Sequence, residues 1–320
     1  MVETAVFDRF LQLGKPEEVM KTRIAKSVVL MCALVLGIAS VQSASAQTFK
    51  LVKVKGGGLL AQVSSGGASV WALATNGHPY RFNGKQFVQA NNIALSQISV
   101  GGGNATQADE VWALNSSGSI YRASKSGTTW SFTQVPGSLT VIAVGPGYQD
   151  NCHPYEVWGL NSGAAIFRYN YCGNTFDQVP GLLCEVTVGG GDIWGAVCGP
   201  DTYRFNFSTG VFDQTSPSPG FRAIPQLTVG SNGDVWAVDT GTGGVWYYSY
   251  VKWEDITFLP QVQAGNGVWA LDGASHVYRW EPSVFDFKPV SSASLTSLSV
   301  GSGGGVWGLN SGKAYMFTTP

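Results

Sequence analysis

Asn115, Asn161 and Asn310 each stand three residues after a tryptophan, and each is followed within six residues by an aromatic side chain: Tyr121, Phe167 or Tyr315. In the first two an arginine comes directly behind, giving Tyr121-Arg122 and Phe167-Arg168. An aromatic face stacks on the apolar face of a sugar, while amide and guanidinium groups hold hydroxyls. Asn115, Tyr121, Arg122, Asn161, Phe167, Arg168, Asn310 and Tyr315 are therefore the candidate ligand-binding residues, and carbohydrate is the chemistry they suit. The same residue types also have structural uses. Asn and Asp cap their own turns, a mid-strand tryptophan is core, and an arginine stem can lie over a neighbouring element.

Nothing comparable points to catalysis, which needs convergent titratable groups. His78 and His276 fall in matching turns of different copies of a repeat, and His153 lies beside a cysteine. No G-x-S-x-G or H-E-x-x-H motif occurs, and the acidic residues are sparse. Glycine runs at 56–58, 101–103, 189–191 and 303–305 resemble phosphate cradles only until one looks for the helix that should follow; they read as turns. The expectation is a protein that is not an enzyme and uses no cofactor and no metal. A net charge of −1 gives no basic patch for nucleic acid.

The elements that must position these residues come from a repeat. A Val-Trp or Ile-Trp pair recurs at Trp71, Trp112, Trp158, Trp194, Trp236, Trp269 and Trp307, spaced by 33 to 46 residues. Five copies carry an aromatic-Arg pair nine positions on: Tyr80-Arg81, Tyr121-Arg122, Phe167-Arg168, Tyr203-Arg204 and Tyr278-Arg279. Such a period marks a solenoid, a propeller or an array. With 42 glycines and only 12% charged residues, short strands and tight turns are favoured over helices. The third copy divides into runs at 139–144, 156–160, 165–169 and 175–179, with Asn161-Ser162-Gly163 as a hairpin turn. Val157 and Trp158 are both apolar, so that strand is buried on both faces, as stacked blades would require.

The expected fold is all-β: a single β-propeller of four-stranded antiparallel blades. The count favours seven blades and leaves six open. The last copy lacks a fourth strand, and Phe49-Lys50-Leu51-Val52 resembles the fourth strands Phe176–Val179 and Phe132–Val135. The N-terminal segment is thus expected to complete the last blade and leave no open edge. Two enlarged connections, Asn104–Glu110 and Pro146–Glu156, stand out as loops.

Ahead of the propeller, residues 1–46 read as a signal peptide whose true start is Met20. Lys21, Arg23 and Lys26 precede an apolar run over 28–39, and Ala44-Ser45-Ala46 gives a cleavage site. Twelve apolar residues fall short of the roughly 20 that span a bilayer, which sets aside the rival reading of an anchor. The mature chain, 47–320, is expected to be secreted, or periplasmic in a Gram-negative bacterium. No oligomeric state follows from the sequence. Four cysteines remain in it. Strand order puts Cys152 and Cys172 at one end of the third blade and Cys184 and Cys198 at the opposite end of the fourth. The expected bridges are Cys152–Cys172 and Cys184–Cys198, because mixed pairs would span a strand length, beyond the ~7 Å limit.

The blocks VPGSLTVIAVG…VWGLNSGAAIFR and VPGLLCEVTVGGGDIWG resemble tectonin β-propeller repeats over nearly all of 47–320. That resemblance implies a lectin that binds lipopolysaccharide or O-methylated sugars on cell surfaces, with several weak sites acting together. It also implies six blades, and a uniform Asn that here becomes Val197 in the fourth copy and Asp239 and Asp272 in the next two. The alternative is a protein-interaction scaffold that uses the propeller loops.

Overall fold

A strand with two apolar faces needs a partner on each side. The computed structural model describes residues 48–318 except 104–106, 216–218 and 250, with only the backbone at 148–149 and 291–292. The described chain forms seven four-stranded antiparallel blades. Blade one is built from Leu60–Ser65, Val70–Ala74, Pro79–Phe82 and Gln86–Gln89. Blades two to six repeat this meander, with second strands Glu110–Leu114, His153–Leu160, Asp192–Ala196, Val235–Asp239 and Gly267–Leu271. Blade seven takes Ser297–Val300, Val306–Asn310 and Lys313–Thr318 from the end of the chain and its fourth strand, Thr48–Val54, from the beginning. Thr48 pairs with Thr318 and Val52 with Ala314. The open choice between six blades and seven is thereby settled at seven.

Closure goes one step further than a shared blade. After leaving blade seven, the same N-terminal strand pairs in parallel with the outer strand of blade one, Lys53 with Gln86 and Val54 with Phe87. Blades seven and one therefore form one eight-stranded sheet.

The first strand of each blade packs on that of the next, and blade seven packs back on blade one. These seven strands enclose a central cavity of about 360 Å³. Ser64, Thr187, Thr228 and Ser299 supply hydroxyls to its wall, and none of the described lining residues is titratable.

Between blades, one tryptophan does the packing. The repeated tryptophans are buried to 3% exposure or less. Each meets, edge to face, aromatic rings on the outer strands of the following blade. Trp71 meets Trp130 and Phe132, and Trp158 meets Phe205 and Phe212. Trp194 meets Tyr248 and Trp253, and Trp236 meets Trp280 and Phe287. Trp307 of blade seven closes the ring on Phe82 and Phe87 of blade one. Pairs of this geometry contribute about 0.5–1.5 kcal/mol beyond their burial. Side chains on the first strands add polar clips. Gln62 Nε2 donates to Ile98 O and its Oε1 accepts from Ile98 N, at 2.9 and 3.0 Å. Gln97 does the same to Ile142.

Both expected disulfides form: Cys152–Cys172 with Cα atoms 5.0 Å apart, and Cys184–Cys198 with Cα atoms 5.1 Å apart. The Pro146–Glu156 segment, expected as a loop, is instead the far half of a hairpin. The strands Val141–Asp150 and His153–Leu160 stay paired past an irregularity between Pro146 and Asp150, and Cys152 sits at the tip. The ladder continues because the bridge to Cys172 holds that tip against the neighbouring turn, where Tyr171 N donates to Cys152 O. Part of the other enlarged connection, 104–106, and the expected signal peptide lie outside the described residues. No helix among the described residues is long and apolar enough to cross a membrane.

Candidate functional site

The candidate aromatics and arginines lie on the third strand of their blades and the candidate asparagines at the end of the second. There Asn115 Oδ1 accepts from Ser117 N and Ser119 N at 3.0 and 2.8 Å. Asn161 Oδ1 accepts from Gly163 N and Ala165 N at 2.9 and 3.0 Å. Asp272 repeats the pattern with Ala274 N and His276 N. These side chains hold their own turns, the structural use that Asn and Asp have at such positions. Asn310 differs: its Nδ2 donates to Ser294 O at 2.7 Å, tying the turn to the preceding blade.

Arg122 and Arg168 sit further back, directly opposite a tryptophan: Trp112 pairs with Arg122 and Trp158 with Arg168. Alternation along the strand then turns Tyr121 and Phe167 to the other face. Tyr121 packs into the core between blades one and two, Phe167 into that between blades two and three, and Tyr315 into that between blades six and seven. The structure thus splits each aromatic-Arg pair across a blade and separates both members from the Asn.

What the arginines hold is a carboxylate two residues before each tryptophan. Glu156 Oε2 accepts from Trp158 Nε1 and Arg168 Nε, at 2.7 and 2.8 Å, while Oε1 accepts from Arg168 Nη2 at 2.5 Å. Glu156 is fully buried. In blade two, Glu110 spans Trp112 Nε1 and Arg122 in the same way at 2.8 to 3.0 Å. Asp192 takes Trp194 Nε1 and Arg204 Nε, both at 2.9 Å, in blade four. The acid was visible in the sequence as Glu-Val-Trp, Glu-Val-Trp and Asp-Ile-Trp. Period-two alternation puts it on the tryptophan's own face, across from the arginine. Arg168 also lies over the rings of Trp158, Phe205 and Phe207, so this corner belongs to the packing between blades three and four.

Open concave surface lies instead between blades, at the turn end. A groove of about 410 Å³ is lined by Asn115, Ser116, Ser117, Ser138, Thr140 and Ser162, among others. It brings the Asn115 turn of blade two beside the Asn161 turn of blade three. A second groove, of about 590 Å³, follows the same turn level between blades one and two and includes Thr75, Ser96 and Gln97. Both are rich in hydroxyls and amides and poor in charge.

The family model described as Tectonin domain matches residues 34–225. The chain belongs to the tectonin family. No curated protein matches this tectonin chain. Among solved structures, streptogramin B lyase is similar at 14% identity with a TM-score of 0.64, covering 85% of the tectonin chain and 98% of the lyase. Virginiamycin B lyase from Staphylococcus aureus is similar at 16% identity and a TM-score of 0.59, covering 85% and 99%. YCF48 bound to D1 peptide is similar at 12% identity and a TM-score of 0.60, covering 85% and 97%. At these identities the likeness is one of propeller fold.

Proposed function

We propose that this tectonin propeller is a secreted, non-enzymatic lectin that binds cell-surface glycans, of the lipopolysaccharide or O-methylated type, through several weak inter-blade sites at once. The observation that carries this reading is the pair of adjacent polar grooves at one turn level, on a chain of the tectonin family. Hydroxyl and amide walls without charge suit neutral sugar hydroxyls. Repetition around a rigid ring converts weak single contacts into avidity on a surface. The Asn115 and Asn161 amides contribute through the Nδ2 groups left after their oxygens cap the turns. Two disulfides accord with an oxidising compartment.

A glycan array that includes lipopolysaccharides and methylated sugars tests this directly. Binding that weakens when the exposed Ser162 is changed to Trp, which plugs the groove between blades two and three, supports it. An array silent for a folded, disulfide-intact protein overturns it.

A second reading, a scaffold for protein partners, is favoured by the blade-three hairpin that the Cys152–Cys172 bridge pins in place. A similar propeller, YCF48, has been solved with a peptide bound. In that case partners captured by the intact chain would be lost when His153 and Tyr155 on the hairpin are both changed to Ala.

A further inference from the structure

In each blade one residue of the first strand stands opposite the tryptophan: Ser64, Ser99, Ala143, Thr187, Thr228, Gln263 or Ser299. Only Ala143 breaks a series of uncharged polar side chains. Ser64, Thr187, Thr228, Gln263 and Ser299, from five of the blades, line the central cavity. The first strand is the inner edge of its blade, and an edge strand presents unpaired N–H and C=O groups. Three of the hydroxyls answer that edge on the next blade. Ser64 Oγ accepts from Val100 N at 3.2 Å, Thr228 Oγ1 from Ala264 N at 2.9 Å, and Ser299 Oγ from Ser65 N at 2.8 Å. Each then has its proton to offer to the cavity. Thr187 Oγ1 and the Gln263 amide have no hydrogen-bond partner among the described residues.

The chemistry of the wall narrows the choice of ligand. Val100, Val144, Val229 and Val300 border the cavity, but their side chains are buried in the cores between blades, so what they turn inward is backbone. Val144 O, Val229 O and Val300 O lie so close to Gly101, Gly189 and Gly265 of the preceding blades that a Cβ there would overlap them. Glycine thus lets the inner edges converge and leaves carbonyl oxygens, not apolar side chains, around the rim. An anion would meet no Lys, Arg or His in the wall. It would also approach two carboxyls. Glu185 stands two residues before Thr187, on the same face of its strand. Asp109 accepts from Gly67 N, Ala68 N, Ser69 Oγ and Gly103 N at 2.8 to 3.0 Å, which ties blade two to the blade-one turn. At about 360 Å³ the cavity is far larger than a single ion and falls at the small end of ligand pockets, about 300–1,000 Å³. Hydroxyl and amide donors set among carbonyls suit a neutral molecule whose groups each donate and accept.

We propose that the central cavity binds one neutral polyol of monosaccharide size, a sugar or a cyclitol. Its hydroxyls accept from Ser64, Thr228 and Ser299 and exchange hydrogen bonds with Thr187 and Gln263. The cavity lies at the far end of the first strands, past Ser64 and Val100, whereas the inter-blade grooves lie at their beginning, beside Gln62, Ser96 and Thr140. The site therefore stands whether or not those grooves bind surface glycans. A ligand that touches blade one and blades four to seven binds only the closed ring, so it also stabilises closure.

The test titrates the purified protein with glucose, galactose, mannose, fucose and myo-inositol, and with sodium gluconate as an anionic control. Binding is read by calorimetry and by the backbone N–H signals in a proton–nitrogen correlation spectrum. At least one neutral polyol is expected to bind at one site per chain and to shift the signals of Thr187, Gln263 and Gly265. Those of residues 116–118, in the groove between blades two and three, should stay in place. Thr187→Val keeps nearly the same shape and breaks no hydrogen bond within the protein. It and Gln263→Leu should each weaken binding at least about tenfold, the change that 1.4 kcal/mol gives. Ser162→Trp, which plugs the groove, should leave this binding unchanged, so the cavity and the lectin reading are judged separately. A methyl glycoside bound as well as the free sugar identifies the end of a glycan chain as the ligand, and its exclusion identifies the free molecule. Silence of the whole neutral panel, equal binding of gluconate, or shifts confined to residues 116–118 overturn the proposal. So does undiminished binding in both cavity variants. The wild-type spectrum decides the matter even if a variant does not fold.

Discussion

At the scale of residues, burial orders the three carboxylate corners. Side-chain exposures for the Arg and acid partners are 14% and 0% in blade three, 36% and 13% in blade two, and 56% and 13% in blade four. Removing one partner of a buried pair leaves a charge without compensation and costs about 3–5 kcal/mol. An exposed pair contributes at most about 1 kcal/mol. Glu156→Ala should therefore destabilise by about 3–5 kcal/mol in urea denaturation and Asp192→Ala by about 1–3 kcal/mol, since Arg204 can turn to water while the buried Trp194 N–H loses its acceptor, with Glu110→Ala between. Equal effects in all three would show that the corner is held by ring packing rather than by its charges. Glu156→Gln should recover only part of the loss, because an amide cannot accept from three donors while two of its own hydrogens need acceptors.

At the scale of elements, the clip between first strands carries a pH dependence. Gln62 and Gln97 each donate to and accept from one backbone position on the next blade. The corresponding residue of blade four is Glu185, which accepts from Leu227 of blade five, and desolvation pushes its carboxyl up to about 7 from an ordinary 4.5. Protonated, it can both donate and accept, as the glutamines do; ionised, it can only accept. A carboxyl raised in the folded state contributes stability that is full below about 4.5 and is lost as pH rises through about 7. Glu185→Gln should leave thermal stability near wild type at pH 4.5 and raise it by about 1–3 kcal/mol at pH 8. A difference that is the same at both pH values would count against the clip. Reduction of the disulfides is an independent element-level test. A loop the size of that between Cys184 and Cys198 should lose about 3 kcal/mol, read as a lowered melting temperature in reductant.

Much at this scale was legible beforehand. The Val-Trp spacing, the Asn-Ser-Gly turns and the fourth-strand likeness of Phe49–Val52 announced blades, hairpins and closure. The carboxylate at Glu156 is legible in Glu-Val-Trp, but reading Phe167-Arg168 as one pair facing one ligand hides it. Alternation sends the two side chains to opposite faces. The Asp109 tie and the inter-blade grooves were not legible, since they depend on how loops some 40 residues apart meet across a blade boundary.

At the scale of the whole molecule, stability rests on closure. Val52 is 7% exposed, inside the core shared by blades seven and one, and its strand bonds to both. Val52→Asp places an unpaired charge there, and it should release the N-terminal strand and expose the last strand as an open edge. The expected readout is rapid proteolytic trimming at both ends and association at high protein concentration, against a wild type that resists both. A variant as resistant as the wild type would show that the other inter-blade contacts suffice to hold the ring. The pairing of Thr48 with Thr318 also fixes how the molecule answers a mechanical load. Thr48 and Thr318 lie side by side at one end of that ladder, so force applied through these two residues acts across the ladder and not along it. The hydrogen bonds from Thr48–Thr318 to Val52–Ala314 would then break one after another, as a zipper opens, instead of sharing the load in shear. A ring that resists heat as a closed unit would in this direction yield at low force, with its lifetime set by the rate of opening one strand pair.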